Sequence, residues 1–138
     1  MISEKIAELL KKARTIAVVG LSDKPDRPSY HVTSYLFSAG YRIIPVNPRV
    51  KTLFNEKAYP DLLSIPKEIS IDIVDIFRRS QDVPPIVDQA IQLKPLCIWM
   101  QLGIIHEQAA KKAEESGIMV VMNRCLSVTH QQLIGLNK

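Results

Sequence analysis

Arginine, asparagine and glycine recur at the ends of apolar runs along this chain. Gly20-Leu21-Ser22-Asp23-Lys24 follows Ile16-Ala17-Val18-Val19, and Val46-Asn47-Pro48-Arg49 closes a second run. Phe77-Arg78-Arg79, Gln101-Leu102-Gly103 and Asn123-Arg124-Cys125 close three more. Run ends are polar in any protein because they meet water. Arginine at three of the five exceeds what solvation asks for, since the planar guanidinium meets phosphate oxygens in pairs. The segment after Val19 suits the same chemistry. Gly20 lets the backbone turn sharply with no side chain in the way. Ser29, as N-cap of a helix expected over residues 30–39, aims unpaired N–H groups and the positive end of a dipole back at that turn. Together these residues predict a phosphate-bearing ligand.

Residues suited to other chemistry are sparse. Cys97 and Cys125 make neither a disulfide framework nor a metal-ligand spacing. Cys125, beside Arg124, lies in the electropositive, partly open setting in which thiols react, and it is the one catalytic candidate; a half-buried structural thiol is the competing reading. His130 pairs with it only if the following turn folds back. His31 and His106 fall near helix starts and read as capping or solvent-facing. Asp72 and Asp75 share a strand but are not paired as general acid and base, although Asp75 could face a helix N-terminus. Trp99 reads as core. A binding protein is expected rather than an enzyme, with no metal.

The elements that must hold these tips can be read from periodicity. Ile2, Ile6, Leu9, Leu10 and Ala13 form one face of a surface helix over residues 1–13. Residues 16–19, the helix at 30–39 and a strand at 42–46 compose a βαβ unit, with a right-handed crossover expected. Residues 50–68 are less regular, with Lys57-Ala58-Tyr59 as a short edge strand and one turn around Leu62-Leu63 between Pro60 and Pro66. Strands follow at 71–77, 96–100 and 118–122. Helices follow at 83–93, with Pro84-Pro85 in its first turn, at 106–116, closed by Gly117, and at 126–136. Unbroken apolar strands alternating with helices predict a single α/β domain over residues 1–138: a Rossmann-like, doubly wound parallel sheet of five or six strands. Such sheets bind ligands outside the carboxyl ends of their strands, where strand order reverses.

Composition narrows the partners. The 138 residues are 46% hydrophobic and 23% charged, which is ordinary for a folded domain. No apolar run approaches the roughly 20 residues that span a bilayer, and the charged N-terminus is unlike a signal peptide, so a cytoplasmic location without membrane contact is expected. The net charge of +4 is scattered and accompanies no nucleic-acid motif, which favours a small anion over nucleic acid.

A dinucleotide site would show Gly-x-Gly-x-x-Gly after the first strand and an acid closing the second. Here Gly20 has no such partners and the second strand ends in Asn47-Pro48, which disfavours NAD; NADP stays open through Arg49 or Lys51. A Walker-type Gly-Lys-Ser/Thr is absent. Seven segments taken together, Gly20-Leu21-Ser22, Arg27-Pro28-Ser29-Tyr30, Pro45-Val46-Asn47-Pro48, Phe77-Arg78-Arg79-Ser80, Asp82-Val83-Pro84-Pro85, Trp99-Met100-Gln101-Leu102-Gly103 and Asn123-Arg124-Cys125, closely resemble in order and spacing the small stand-alone CoA-binding proteins. Those in turn are similar to the N-terminal domain of the succinyl-CoA synthetase alpha subunit.

The resemblance implies that Gly20, Leu21, Ser22, Lys24, Arg27 and the helix start at Ser29 and Tyr30 hold the phosphates of coenzyme A or an acyl-CoA. Val46, Asn47, Pro48 and Arg49 would meet the adenosine end, with Arg49 or Lys51 on a 3′-phosphate. Phe77, Arg78 and Arg79 would border the diphosphate or the start of the pantetheine arm, and Gln101 and Gly103 complete the implied set. Many relatives carry Asp at position 123 and Glu at 129, where this chain has Asn123 and Thr129, so an activity that relies on either carboxylate is in doubt here. An NADP-linked oxidoreductase and a CoA-sensing module acting on a protein partner or working as a homo-oligomer are the alternatives.

Overall fold

Five of the apolar runs pair into one parallel sheet. The computed structural model describes residues 2–135. The strands are β1 (Thr15–Val19), β2 (Arg42–Val46), β5 (Ile73–Ile76), β6 (Cys97–Met100) and β7 (Met119–Val121), in the order β2-β1-β5-β6-β7. Two-residue strands β3 (Thr52–Leu53) and β4 (Glu56–Lys57) form a separate antiparallel hairpin. The chain steps outward from β1 to β2 and then returns to lay β5 on the other side of β1. Strand order therefore reverses between β1 and β5, which is where a parallel sheet leaves a crevice.

Alternation along each strand divides the core in two. Ala17, Val19, Val74, Ile76, Ile98 and Met100 point to one face, under α3 (Val83–Leu93) and α4 (Glu107–Glu115). Ile16, Val18, Ile73, Cys97 and Trp99 point to the other, under α1 (Ile2–Lys12), α2 (Pro28–Ser38) and α5 (Leu126–Leu133). Ile6, Leu9 and Leu10 of α1 are buried there, as its periodicity requires; side chains of that size are each worth about 1.5–3 kcal/mol when fully buried. Asp72 sets the register of the sheet's start, its Oδ2 accepting from the N–H groups of Arg14 (2.8 Å) and Thr15 (3.0 Å).

Several expected boundaries shift for physical reasons. Helix α2 begins at Pro28, with Arg27 at the N-cap and no side-chain cap. Proline suits a first helical position because its missing N–H would have no partner there anyway. Ser29 therefore lies inside the helix, and its Oγ accepts from the Ser22 N–H at 3.0 Å instead of capping. The edge strand expected at 57–59 is replaced by the β3–β4 hairpin, and Tyr59 makes only a lone parallel bridge to Val46. Phe54 and Asn55 both have positive φ, 51° and 67°, as a twisted two-residue hairpin turn demands. The Phe54 ring packs on Tyr30 and Phe37 at 5.1 and 5.3 Å between centroids, and Arg42 clamps the hairpin through Glu56. Helix α5 is described to Leu133; Leu136, the expected end, lies outside the described residues.

Candidate functional site at the carboxyl edge of the sheet

The crevice is floored by backbone. Gly20, with φ of +85°, passes so close to the tip of β5 that a Cβ would stand 2.6 Å from the Phe77 carbonyl oxygen. No L side chain fits there, so the tips of β1 and β5 meet main chain to main chain. Gly20 N–H donates to the Val46 carbonyl at 2.9 Å and Asn47 Nδ2 donates to the Leu21 carbonyl at 2.9 Å, which ties the tips of β1 and β2 together. Asn47 Oδ1 accepts from the Arg49 N–H, folding the β2 tip inward.

Three cavities adjoin above this floor. The first, about 540 Å³, is walled by Val46, Pro48 and Arg49 on one side and Arg78 on the other. The second, about 620 Å³, shares Gly20, Asn47 and Arg49 with the first and adds Ser22, Lys24, Arg27 and Ser29. Its charged lining is three cations against one acid, Asp23. The third, about 470 Å³, shares Pro28 and Phe77 with the second and is walled by Val32, Leu102, Ile104 and Cys125. Lys24, Arg27 and Arg49 have no ion pair among the described residues. Arg78 and Arg79 both reach Asp82 Oδ2, at 3.5 and 3.2 Å.

Most of the residues singled out by sequence converge here, and some do not. Gly20, Ser22, Lys24, Arg27, Ser29, Val46, Asn47, Pro48, Arg49, Phe77, Arg78 and Arg79 all line the crevice. Leu21 is wholly buried in the core, Tyr30 packs on Phe54, and neither they nor Lys51 nor Gly103 lines any of these three cavities. Gln101 touches the third cavity, but its amide is engaged on both sides: Nε2 donates to Asp75 Oδ1 at 2.6 Å, and Oε1 accepts from the Leu126 N–H at 3.3 Å. Asp75 thus faces Gln101. The first turn of α2 also offers fewer free N–H groups than expected, because those of Tyr30 and His31 both donate to the Arg27 carbonyl.

The two departures are structural. Asn123, at φ of 58°, accepts the Gly103 N–H on Oδ1 at 2.7 Å, and buried Thr129 donates its hydroxyl to the Cys125 carbonyl at 2.8 Å. His106 caps α4 by accepting the Ala109 N–H. His130 does not pair with Cys125: its Nδ1 lies 3.0 Å from the Tyr35 hydroxyl, and burial lowers its pKa. Arg124, at the β7 tip, stays outside the cavities, and its carbonyl takes the Trp99 indole N–H at 2.8 Å.

Sequence reasoning missed Pro60, Asp61, Leu62, Ile86 and Gln89, which complete the first cavity. They come from a turn and a helix distant in the chain, and the only local signal was the turn read around Leu62 after Pro60. Among the described residues no group of three potential metal ligands forms, and no helix is long and apolar enough to cross a membrane.

An open parallel α/β sheet with a basic crevice at its reversal point is the class of protein that fold and site define. Within it, the chain belongs to the CoA binding domain family, which it matches over residues 14–131. It is 41% identical over 128 residues to the uncharacterized protein YneT of Bacillus subtilis, covering 91% of this chain and 92% of that one. It is 29% identical over 127 residues to the ADP-forming 4-hydroxybutyrate–CoA ligase of Nitrosopumilus maritimus, covering 83% of this chain but 18% of the ligase. The solved structure of cell-free ID.343 from Thermus thermophilus superposes with a TM-score of 0.91 at 38% identity, covering 97% of this chain and 100% of that one.

Proposed function

We propose that this protein binds coenzyme A, free or acylated, along the crevice, with its phosphates in the second cavity. The observation that carries this reading is the convergence of Lys24, Arg27 and Arg49, none of them ion-paired among the described residues, on one cavity beside the backbone floor at Gly20. Unpaired guanidinium groups around a polar backbone turn favour a polyanion. The mixed walls of the first cavity, Val46, Pro48 and Leu62 with Asn47 and Gln89, suit a nucleobase and ribose. The apolar third cavity suits the uncharged pantetheine arm. Family membership favours coenzyme A over other nucleotides of similar charge. When bound, the ligand supplies a thiol or thioester; the protein holds, orients and shields it.

Thermal unfolding with coenzyme A, dephospho-CoA, NAD and NADP side by side tests the reading, because a ligand bound only by the folded state raises the midpoint. Coenzyme A should give the largest rise, and Arg49→Ala should shrink it. Removing one charge-assisted contact costs about 1.5–3 kcal/mol, roughly ten- to a hundredfold in Kd. An equal response to all four ligands would mean only nonspecific attraction to a basic surface.

A further inference from the structure

Among the basic side chains that border the crevice, Arg78 and Arg79 differ from the rest in converging on a single oxygen, Asp82 Oδ2. The two contacts are unequal. Arg79 donates its Nε to that oxygen at 3.2 Å, while Arg78 Nη2 stands off at 3.5 Å. Asp82 is the N-cap residue of α3, where a carboxylate ordinarily accepts the N–H of the second or third helical residue. Those residues are Pro84 and Pro85, which have none, and the side chain makes no cap bond. Its carboxylate is thereby left facing the two arginines. Arg78 also has a particular place in the trough. It lines both the first and the third cavity, and its Cδ lies 3.0 Å from where a Cβ on Gly20 would stand. Its stem therefore runs over the backbone floor that the first and second cavities share at Gly20.

We propose that Asp82 competes with the diphosphate of the ligand for Arg78 and so sets the affinity of the crevice, an inference that rests on the binding mode proposed above. A diphosphate over Gly20 lies beside the Arg78 stem, so that the guanidinium reaches it by turning about its last torsions and leaving Asp82. The exchange runs towards the ligand because the Arg78–Asp82 pair is weak: its side chains are 47% and 27% exposed, and such pairs are worth little in water. A guanidinium on a phosphate makes shorter, charge-assisted bonds. Arg79 keeps its hydrogen bond to the same carboxylate oxygen, so the departure of Arg78 leaves no bare charge behind. Binding nevertheless gives up the original pair. Lys24, Arg27 and Arg49 have no ion pair among the described residues and meet no such competition. Asp82 therefore lowers affinity without touching the ligand, and removing its charge should tighten binding through Arg78 alone.

Calorimetric titration of the full chain with coenzyme A and with dephospho-CoA, which keeps the diphosphate, tests this. Asp82→Asn should lower the Kd of both ligands by about two- to fivefold, the worth of an exposed ion pair, and Asp82→Ser should repeat the gain. Arg78→Met, which keeps a stem over Gly20, should weaken binding, and adding Asp82→Asn to it should bring no gain. Asp88→Asn is the control for net charge, since Asp88 lies on the same helix, pairs with Lys112 at 2.6 Å and lines none of the three cavities; its Kd should match wild type. Unchanged or weaker binding by both Asp82 variants overturns the competition. An equal gain in Asp88→Asn, or a gain that survives in the Arg78→Met background, shows a general field instead and overturns it too. A gain with coenzyme A that vanishes with dephospho-CoA removes the diphosphate from the exchange. Each of these leaves the binding reading intact, whereas wild type that takes up neither ligand overturns both.

Discussion

Asp75→Asn should stabilise the protein, and by an amount that depends on pH. Asp75 lies in β5 between Val18 and Trp99 on the neighbouring strands and is wholly buried. Gln101 Nε2 donates to its Oδ1 at 2.6 Å, while its Oδ2 has no partner among the described residues. Burial disfavours the charged form more than the Gln101 bond favours it, and the pKa is raised from 3.8 to about 7. Between those values the folded chain holds a proton that the unfolded chain has released. Stability contributed by this group is therefore complete below the unfolded pKa and is lost as pH rises through the folded one. The span of about three units corresponds to about 4 kcal/mol at 1.36 kcal/mol each. Asparagine has nearly the same shape, keeps an acceptor for Gln101 and cannot ionise. Urea unfolding of both proteins from about pH 4 to about pH 8 should show the variant gaining on the wild type through that window, with the difference level above it. Two stability curves that stay parallel across the window would refute the argument, whatever their absolute heights.

Three other substitutions follow from the same geometry. Gly20→Ala places a methyl 2.6 Å from the Phe77 carbonyl oxygen at a φ of +85°, so a loss of about 1–3 kcal/mol, together with weaker coenzyme A binding, is expected in denaturant and thermal-shift assays. Asn123→Ala should cost about 0.5–1.5 kcal/mol by losing the bond to the exposed Gly103 N–H, while Asn123→Asp, which keeps the acceptor, should unfold within about 0.5 kcal/mol of wild type. Because burial lowers the His130 pKa below 6.5, the unfolded chain binds the extra proton and stability should fall as pH drops through that value; His130→Gln should remove this component from a pH series of melting temperatures.

The parts of the fold that could be read from sequence were those in which one residue type has one physical use. Ile16-Ala17-Val18-Val19, ended by Gly20, suits a strand covered on both faces, and Pro84-Pro85 suits the first turn of a helix, as both prove to be. The β3–β4 hairpin was not legible because Phe54-Asn55 lacks the glycine that usually signals such a turn; tertiary contacts of Phe54 with Tyr30 and Phe37 hold the positive φ instead. At the site, sequence order found the tips of β1, β2 and β5 because the switch-point rule needs only the order of elements. Gln101 shows what sequence order leaves open, since a polar residue at a strand tip looks the same whether or not its amide also closes a buried chain from Asp75 to the start of α5. The far wall of the first cavity depends on how α3 packs on the turn at Leu62, where the Leu62 N–H meets Gln89 Oε1 at 3.1 Å, and periodicity carries no trace of that.

The basic residues of the rim are not equivalent, and their difference gives the crevice a direction. Lys24, Arg27 and Arg49 belong to the β1 and β2 side and have no internal counter-ion among the described residues. On the β5 side Arg78 and Arg79 share Asp82, which stands at the N-cap of α3 without capping it by its side chain. Pro84 and Pro85, early in that helix, bring no N–H groups for the carboxylate to accept, which leaves it to the two arginines. Beyond them the crevice opens into the apolar walls of Val32, Leu102 and Ile104. The cations without a counter-ion among the described residues are therefore gathered over β1 and β2, whereas the third cavity sets mostly apolar walls beside Arg78 and Arg79, whose charge Asp82 offsets in part. On the binding mode proposed above, a molecule charged at one end and uncharged at the other should lie with its anion over β1 and β2 and its neutral arm towards β6, because reversal would strip water from its phosphates against apolar walls while leaving Lys24, Arg27 and Arg49 without a counter-ion.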